Sequence, residues 1–150
     1  MDFFKRQSIG FYMGTLTFIV TLAALIYAEI NGKTAYFQNL GVEPSVLACA
    51  IVAMASEIFV LVSGQVYQGS RWLALARDIA LCLAAVLLVL SMVSFLTSRI
   101  NGFASIMTFE QNAQNMADLQ SALIAIVLFA LASVLAVVTS FFRVRKNTGR

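Results

Sequence analysis

The sequence predicts an all-α integral membrane protein, folded as one domain over residues 1–150 into an antiparallel bundle of four transmembrane helices. The chain is 61% apolar and only 11% charged, so it has too little polar surface to cover a water-soluble globule. It also contains four apolar runs of about 20 residues or more, the length that crosses a bilayer. We therefore predict helices at 9–30, 45–67, 73–98 and 109–142.

The first apolar run follows a short basic segment, as in a signal peptide, but no small-x-small cleavage pattern closes it. We interpret it as a retained first helix. The loops after the first and third helices contain only Lys33 and Arg99 as basic residues. Because basic flanks face the cytoplasm, we expect both termini to be cytoplasmic, and we assign the chain to a bacterial cytoplasmic membrane. The basic residues expected on the cytoplasmic side are Lys5, Arg6, Arg71, Arg77, Arg143, Arg145, Lys146 and Arg150.

Each predicted helix has a row of mostly small residues spaced alternately by four and three positions. In the first helix the row starts with Gly10 and Gly14, a GxxxG pair that lets two helices approach closely. Gly64 lies beside the row of the second helix. A period of 3.5 in all four helices favours a left-handed antiparallel bundle. The four rows are Gly10, Gly14, Thr17, Thr21, Ala24 and Ala28; Cys49, Ala53, Ser56, Val60 and Ser63; Arg77, Ala80, Ala84, Leu87, Ser91, Ser94 and Ser98; and Ala122, Ala125, Phe129, Ala132, Ala136 and Thr139.

A short repeat suggests that the bundle is a duplicated helical hairpin. Ile-Asn-Gly follows Glu29 in the first helix and follows Arg99 in the third helix. If the halves are related by a pseudo-twofold axis, Glu29 and Arg99 lie at equivalent depths with opposite charge, and we expect them to pair at the outer rim. The alternative is that Asn-Gly simply ends each helix, because both residues tolerate a left-handed backbone.

The loop before the fourth helix carries a second helix-boundary signal. The segment from Thr108 to Gln111 fits a capping box, which predicts that the fourth helix begins near Phe109 and enters the membrane near Leu119. The preceding apolar residues suggest a short anchoring segment at the membrane interface. The alternative is a lid or a surface for a partner.

Glu57 lies near the middle of the second apolar run, where a charged side chain costs about 3 kcal/mol or more. Arg77 on the next helix is a poor partner for it, because the two side chains differ in depth by about 7 Å and lean apart. We expect Arg77 instead to reach the cytoplasmic interface, with Asp78 or a phosphate, near Arg71.

At the depth of Glu57, the neighbouring helices present Thr17, Thr21 and Ser133. Burial without a nearby cation penalises the charged form of a carboxyl group. We therefore expect Glu57 to be protonated and to donate a hydrogen bond to a hydroxyl or carbonyl group.

Missing residue types argue against an enzyme. The chain has no histidine, which removes imidazole ligation of metals or haem and every histidine-dependent nucleophile. Cys49 and Cys82 are expected to differ in depth by about 12 Å, too far for a disulfide. We predict no enzymatic activity, no metal, no cofactor and no nucleic-acid partner, since the basic C-terminal segment follows a membrane helix directly.

The sequence favours an accessory or structural subunit, whose small-residue rows pack against another membrane protein or a second copy within the lipid bilayer. The alternative is a small proton-coupled transporter or oligomeric channel that uses Glu57. The charge state of Glu57 separates the two: a neutral, hydrogen-bonded Glu57 joins helices, whereas a Glu57 that ionises during a cycle transports.

Overall fold

A computed structural model describes residues 8–66 and 71–142, and these residues form four helices. They are α1 (Ile9–Gly32), α2 (Pro44–Val66), α3 (Arg71–Thr108) and α4 (Ala113–Ser140). All four are long and apolar enough to cross a membrane, which confirms the predicted all-α class and the number of candidate spans. Six basic residues used to predict the orientation lie outside the described residues, as does Tyr67 at the predicted end of the second helix. Those six are Lys5, Arg6, Arg143, Arg145, Lys146 and Arg150.

The small-residue rows of α1 and α4 are buried along their whole length. A Cβ added to Gly14 would lie 2.9 Å from Cδ2 of Leu61 on α2, so this glycine permits a close helix contact. The hydroxyl oxygens of Thr17 and Thr139 lie 3.2 Å apart where α1 meets α4. The predicted rows of these two helices therefore lie inside the bundle.

The buried faces of α2 and α3 are rotated from the predicted rows. On α2, Cys49 and Ser56 are only half-buried, and Glu57 itself lies on the buried face. On α3, the predicted row residues Leu87, Ser94 and Ser98 are only half-buried, and other residues form the buried face. The buried face of α3 packs against both α2 and α4, and it includes large side chains such as Leu88 and Phe95 that a row of small residues does not identify. The buried residues of α3 are Leu81, Ala84, Ala85, Leu88, Ser91, Phe95, Arg99 and Ile106.

The third helix is longer than predicted and passes through Asn101 and Gly102 to Thr108. Gly102 therefore does not end a helix. A Cβ at this position would lie 2.6 Å from Cε1 of Phe37, so glycine is needed here to admit the Phe37 ring. At 1.5 Å per residue the 38 residues of α3 extend about 57 Å, which exceeds the roughly 30 Å hydrocarbon core of a bilayer.

The predicted start of the fourth helix is also corrected. Thr108 is the last residue of α3 rather than a cap, and α4 begins at Ala113. Its N-cap is Asn112, whose Oδ1 accepts a hydrogen bond of 2.8 Å from the backbone N–H of Asn115. Asparagine is among the strongest N-cap residues. Because Asn112 caps the helix, α4 begins at Ala113, four residues later than the predicted start at Phe109.

Candidate functional site

Two ionisable side chains are buried inside the bundle. Glu57 lies in α2 and is 2% exposed, and Arg99 lies in α3 and is fully buried. We call their surroundings the Glu57 site (Glu57 and Thr21) and the Arg99 site (Arg99, Asn31, Phe37, Gly41 and Phe95). Ionisable side chains buried in a membrane helix bundle are costly and commonly functional, so these two sites are the candidates.

Glu57 has one hydrogen-bond partner in the part of the chain that the structure describes. The hydroxyl of Thr21 on α1 lies 2.9 Å from Oε1. The second carboxyl oxygen, Oε2, is buried and has no partner among the described residues. A buried polar atom without a partner costs free energy, so one side of this carboxyl group is unsatisfied.

The hydroxyl of Thr21 constrains where the proton lies. Its Oγ1 is 3.0 Å from the carbonyl oxygen of Thr17 as well as 2.9 Å from Oε1 of Glu57. A hydroxyl has one hydrogen to donate, and a carbonyl oxygen can only accept. Each contact has its own hydrogen when Thr21 donates to Thr17 and a protonated Glu57 donates to Thr21; with an ionised Glu57, Thr21 shares its one hydrogen between the two acceptors. The geometry therefore accommodates a neutral Glu57.

The other two residues predicted around Glu57 bond elsewhere. Thr17 donates to the carbonyl oxygen of Met13 at 2.8 Å and lies against Thr139. Ser133 donates to the carbonyl oxygen of Ala130 at 2.7 Å. Of the predicted set, only Thr21 is brought into contact with Glu57.

Arg77, which was predicted to reach the cytoplasmic interface, forms hydrogen bonds to the neighbouring helix α2. Its Nε donates to Oγ of Ser63 at 3.1 Å, and its Nη2 donates to the carbonyl oxygen of Ser63 at 3.0 Å. These bonds join α3 to α2 near the start of α3. Asp78 and Arg71, which were predicted to lie beside it, are exposed.

The Arg99 site holds the guanidinium group from several sides. Nε donates to Oδ1 of Asn31 at 2.8 Å, and Nη2 donates to the carbonyl oxygen of Gly41. The guanidinium carbon lies 4.9 Å from the ring centroids of both Phe37 and Phe95, within the range of cation–π attraction. Nη1 is buried and has no partner within residues 8–66 and 71–142.

A second layer of hydrogen bonds orients the Arg99 site. The Nδ2 of Asn31 donates to the carbonyl oxygen of Asp118 and to Oγ of Ser121, each at 2.9 Å. The carboxylate of Asp118 accepts from the backbone N–H of Tyr36 at 3.0 Å and from Nε2 of Gln114 at 2.8 Å. These bonds tie the α1–α2 connection to α4, and Asn31 links both to Arg99.

The predicted pair between Glu29 and Arg99 is not formed. Glu29 is half-buried, and its Oε2 lies 3.9 Å from Nζ of Lys33, whereas Arg99 faces the interior. The residues occupy matching positions in the repeat, but α1 and α3 bury different faces there: Ala28 and Asn31 are buried on α1, and Phe95 and Arg99 on α3. The two Ile-Asn-Gly repeats therefore match in sequence, but the residues that precede them face different directions in the bundle.

Sequence reasoning missed Asn31, Asp118 and the aromatic contacts of Arg99. One signal was available for Arg99: Leu88, Ser91, Phe95 and Arg99 follow one another at helical spacing, and this is the row that α3 buries. No comparable signal marked Asp118, because its partners come from the α1–α2 connection, far away in the sequence.

An apolar groove of about 470 Å³ lies between α3 and α4. It offers one hydroxyl group, that of Ser133, and no ionisable side chain. The other lining residues include Ala85, Val89 and Leu90 of α3 and Val134 and Val137 of α4. Cys49 and Cys82 are free thiols, and within the described ranges no three acidic or cysteine residues converge as a metal site would require.

Comparison of the chain with protein-family models, with curated proteins and with solved structures finds no match.

Proposed function

We propose that the protein is a small proton-linked transporter or channel of a bacterial cytoplasmic membrane, in which Glu57 exchanges a proton for a cation. The observation that carries this proposal is the half-satisfied Glu57 carboxyl group, buried inside α2 with one partner on α1. The proposal includes the antiparallel arrangement of the four helices and the cytoplasmic position of both termini.

The place of Glu57 in the bundle supports exchange. Glu57 lies where α2 meets α1, and the contact between these two helices is the smallest of the four main helix contacts among the described residues. Separation of α1 from α2 therefore disrupts less packing than separation of any of the other three main contacting pairs. A small opening there gives Glu57 access to water or to a cation.

The chemistry of the site fits a two-state cycle. In the neutral state the carboxyl group donates its hydrogen to Thr21, an arrangement that the two Thr21 contacts accommodate. Loss of the proton leaves a buried negative charge, for which the described residues around Oε2 supply no hydrogen-bond donor. A buried charge needs a counterion, so a cation that replaces the proton would be held at Oε2.

The test uses purified protein in liposomes that contain a trapped pH dye and an outward proton gradient. Na⁺, K⁺ and tetraphenylphosphonium are added outside in turn. We expect at least one cation to collapse the gradient faster than in liposomes without protein, and Glu57→Gln to abolish this effect. Glu29→Gln is the matched control, because it removes a carboxylate that lies outside the Glu57 site, and it should keep the wild-type rate. Wild-type protein that matches empty liposomes throughout the series would contradict the proposal.

The second candidate function is an accessory or structural subunit that packs against another membrane protein or a second copy. The α3–α4 groove and the apolar exterior favour it. The small-residue rows of α1 and α4 are occupied inside the bundle, so a partner would contact larger side chains such as Ile19, Ile26 and Val62, which are exposed. Crosslinking in native membranes, with recovery of one defined partner, would support this candidate. Neither proposal assigns an enzymatic reaction or a cofactor to the chain.

A further inference from the structure

The Arg99 site contains a fully buried cation with an unused N–H group. From the unpartnered Nη1 of Arg99, held between Phe37 and Phe95, we infer that this site binds an oxyanion of the phosphate type. The ligand is carried either by a lipid headgroup or by a small soluble ion. This site is separate from Glu57 and does not depend on the proposed transport.

The charge of Arg99 is not neutralised by its hydrogen bonds. Its two acceptors, Oδ1 of Asn31 and the carbonyl oxygen of Gly41, are both uncharged. Among the described residues, the ion pair shorter than 4 Å joins Glu29 to Lys33, so it does not involve Arg99. A buried guanidinium group without a counterion is costly, and an oxyanion removes this cost.

The side chains of the Arg99 site are already held in place before an anion binds. Two aromatic rings fix the guanidinium group, and Asn31 is itself fixed by Asp118 and Ser121. Little side-chain freedom remains to be lost when an anion binds, which favours affinity. Because Nε and Nη2 already have acceptors, the anion would bind at Nη1, which carries two N–H groups.

The nearby carboxylates do not replace the ligand. Both oxygens of Asp118 accept hydrogen bonds, from Tyr36 and Gln114. The carboxylate of Glu43 is close enough to act electrostatically on Arg99, but it is exposed and lies 3.3 Å from the hydroxyl of Ser45. Glu43 is therefore the group with which an incoming anion must compete.

The position of Arg99 suits a ligand at the membrane surface. Nη1 and Nη2 share one carbon atom, and Nη2 reaches Gly41, so Nη1 lies beside the connection between α1 and α2. This connection ends at Glu43, which is exposed. Arg99 also follows directly after the apolar run predicted at 73–98, so it lies near the end of that span, where the hydrocarbon core gives way to the headgroups.

The experiment measures the melting temperature of the protein in a non-ionic, phosphate-free detergent. In separate arms we add inorganic phosphate, phosphatidylglycerol or phosphatidylcholine, with sodium chloride matched for ionic strength. We expect at least one phosphate-bearing additive to raise Tm by roughly 5 °C at a hundredfold excess over Kd. A response to inorganic phosphate identifies a soluble oxyanion as sufficient, and a response to lipid alone identifies a headgroup; either supports the inference.

Three variants test whether the response comes from Arg99. Arg99→Gln should lose the response, and Lys33→Gln, which removes an exposed cation at the same end of the bundle, should keep it. Glu43→Gln should show a larger response than wild type, because the competing charge is gone. If Arg99→Gln does not fold, Glu43→Gln decides: a response no larger than that of wild type overturns the inference. So does a wild-type Tm that no additive raises above the sodium chloride control.

Discussion

The side chains of Asn31 and Arg99 are fully buried and share a hydrogen bond of 2.8 Å between α1 and α3. The same asparagine donates both of its N–H groups to α4, at Asp118 and Ser121. One amide group thus joins three helices and also orients the buried cation. An asparagine offers one carbonyl oxygen and two N–H groups, and all three are used.

We predict that Asn31→Ala lowers the free energy of unfolding by at least about 2 kcal/mol, because it leaves the buried guanidinium group of Arg99 and the half-buried hydroxyl of Ser121 with fewer partners. Asn101→Ala is the matched control. It removes the asparagine of the second Ile-Asn-Gly repeat, which is exposed, and should change the stability by less than about 0.5 kcal/mol. Reversible denaturation in mixed micelles measures both, and equal losses would contradict the role of Asn31.

The sequence was sufficient to predict those parts of the fold that depend on composition and helical spacing. Apolar length predicted four helices, and the rows of small residues predicted the buried faces of α1 and α4. Thr21 was placed near Glu57 because depth along a membrane helix follows from residue number at 1.5 Å per residue.

The Arg99 site could not be predicted in the same way. Its contacts come from the α1–α2 connection, whose path is set by packing rather than by a periodic pattern. Phe37 fits against α3 because Gly102 lacks a side chain, and the sequence alone gives Gly102 the appearance of a helix end. The same connection places the backbone N–H of Tyr36 against the carboxylate of Asp118, 82 residues away in the sequence.

Glycine substitutions provide a second prediction. A Cβ at Gly32 would lie 3.2 Å from the backbone carbon of Gly41, and a Cβ at Gly102 would lie 2.6 Å from the buried Phe37 ring. Neither neighbour can move freely, so Gly32→Ala and Gly102→Ala should each destabilise the protein by about 1–3 kcal/mol.

Gly14→Ala is the control for these two variants. Its new methyl group meets Cδ2 of Leu61 at 2.9 Å, the end of a flexible side chain, and alanine is the better helix former by about 1 kcal/mol. We expect a change in unfolding free energy below about 1 kcal/mol. If Gly14→Ala lowers the unfolding free energy as much as Gly102→Ala does, the rigidity of the neighbouring group does not determine the loss of stability.

The contacts of Thr21 predict a protonated Glu57 at pH 7. The infrared difference spectrum between wild type and Glu57→Gln should contain the carbonyl stretch of a neutral carboxylic acid and lack the paired stretches of a carboxylate. Thr21→Val removes the acceptor for the Glu57 hydrogen, so the carbonyl band should shift. Carboxylate stretches in the wild-type difference spectrum at pH 7 would contradict a neutral Glu57.

Hydrogen exchange at Tyr36 tests whether Asp118 holds the α1–α2 connection over Arg99. The backbone N–H of Tyr36 donates to Oδ2 of Asp118 at 3.0 Å. Loss of a hydrogen bond to a charged acceptor should speed exchange at this amide at least about tenfold in Asp118→Ala. Asp118→Asn retains an oxygen acceptor and should preserve most of the protection. The amide of Gln38 donates to the backbone oxygen of Thr34 and serves as the internal reference. If Tyr36 exchanges at the wild-type rate in Asp118→Ala, the connection is held by the packing of Phe37 rather than by this carboxylate.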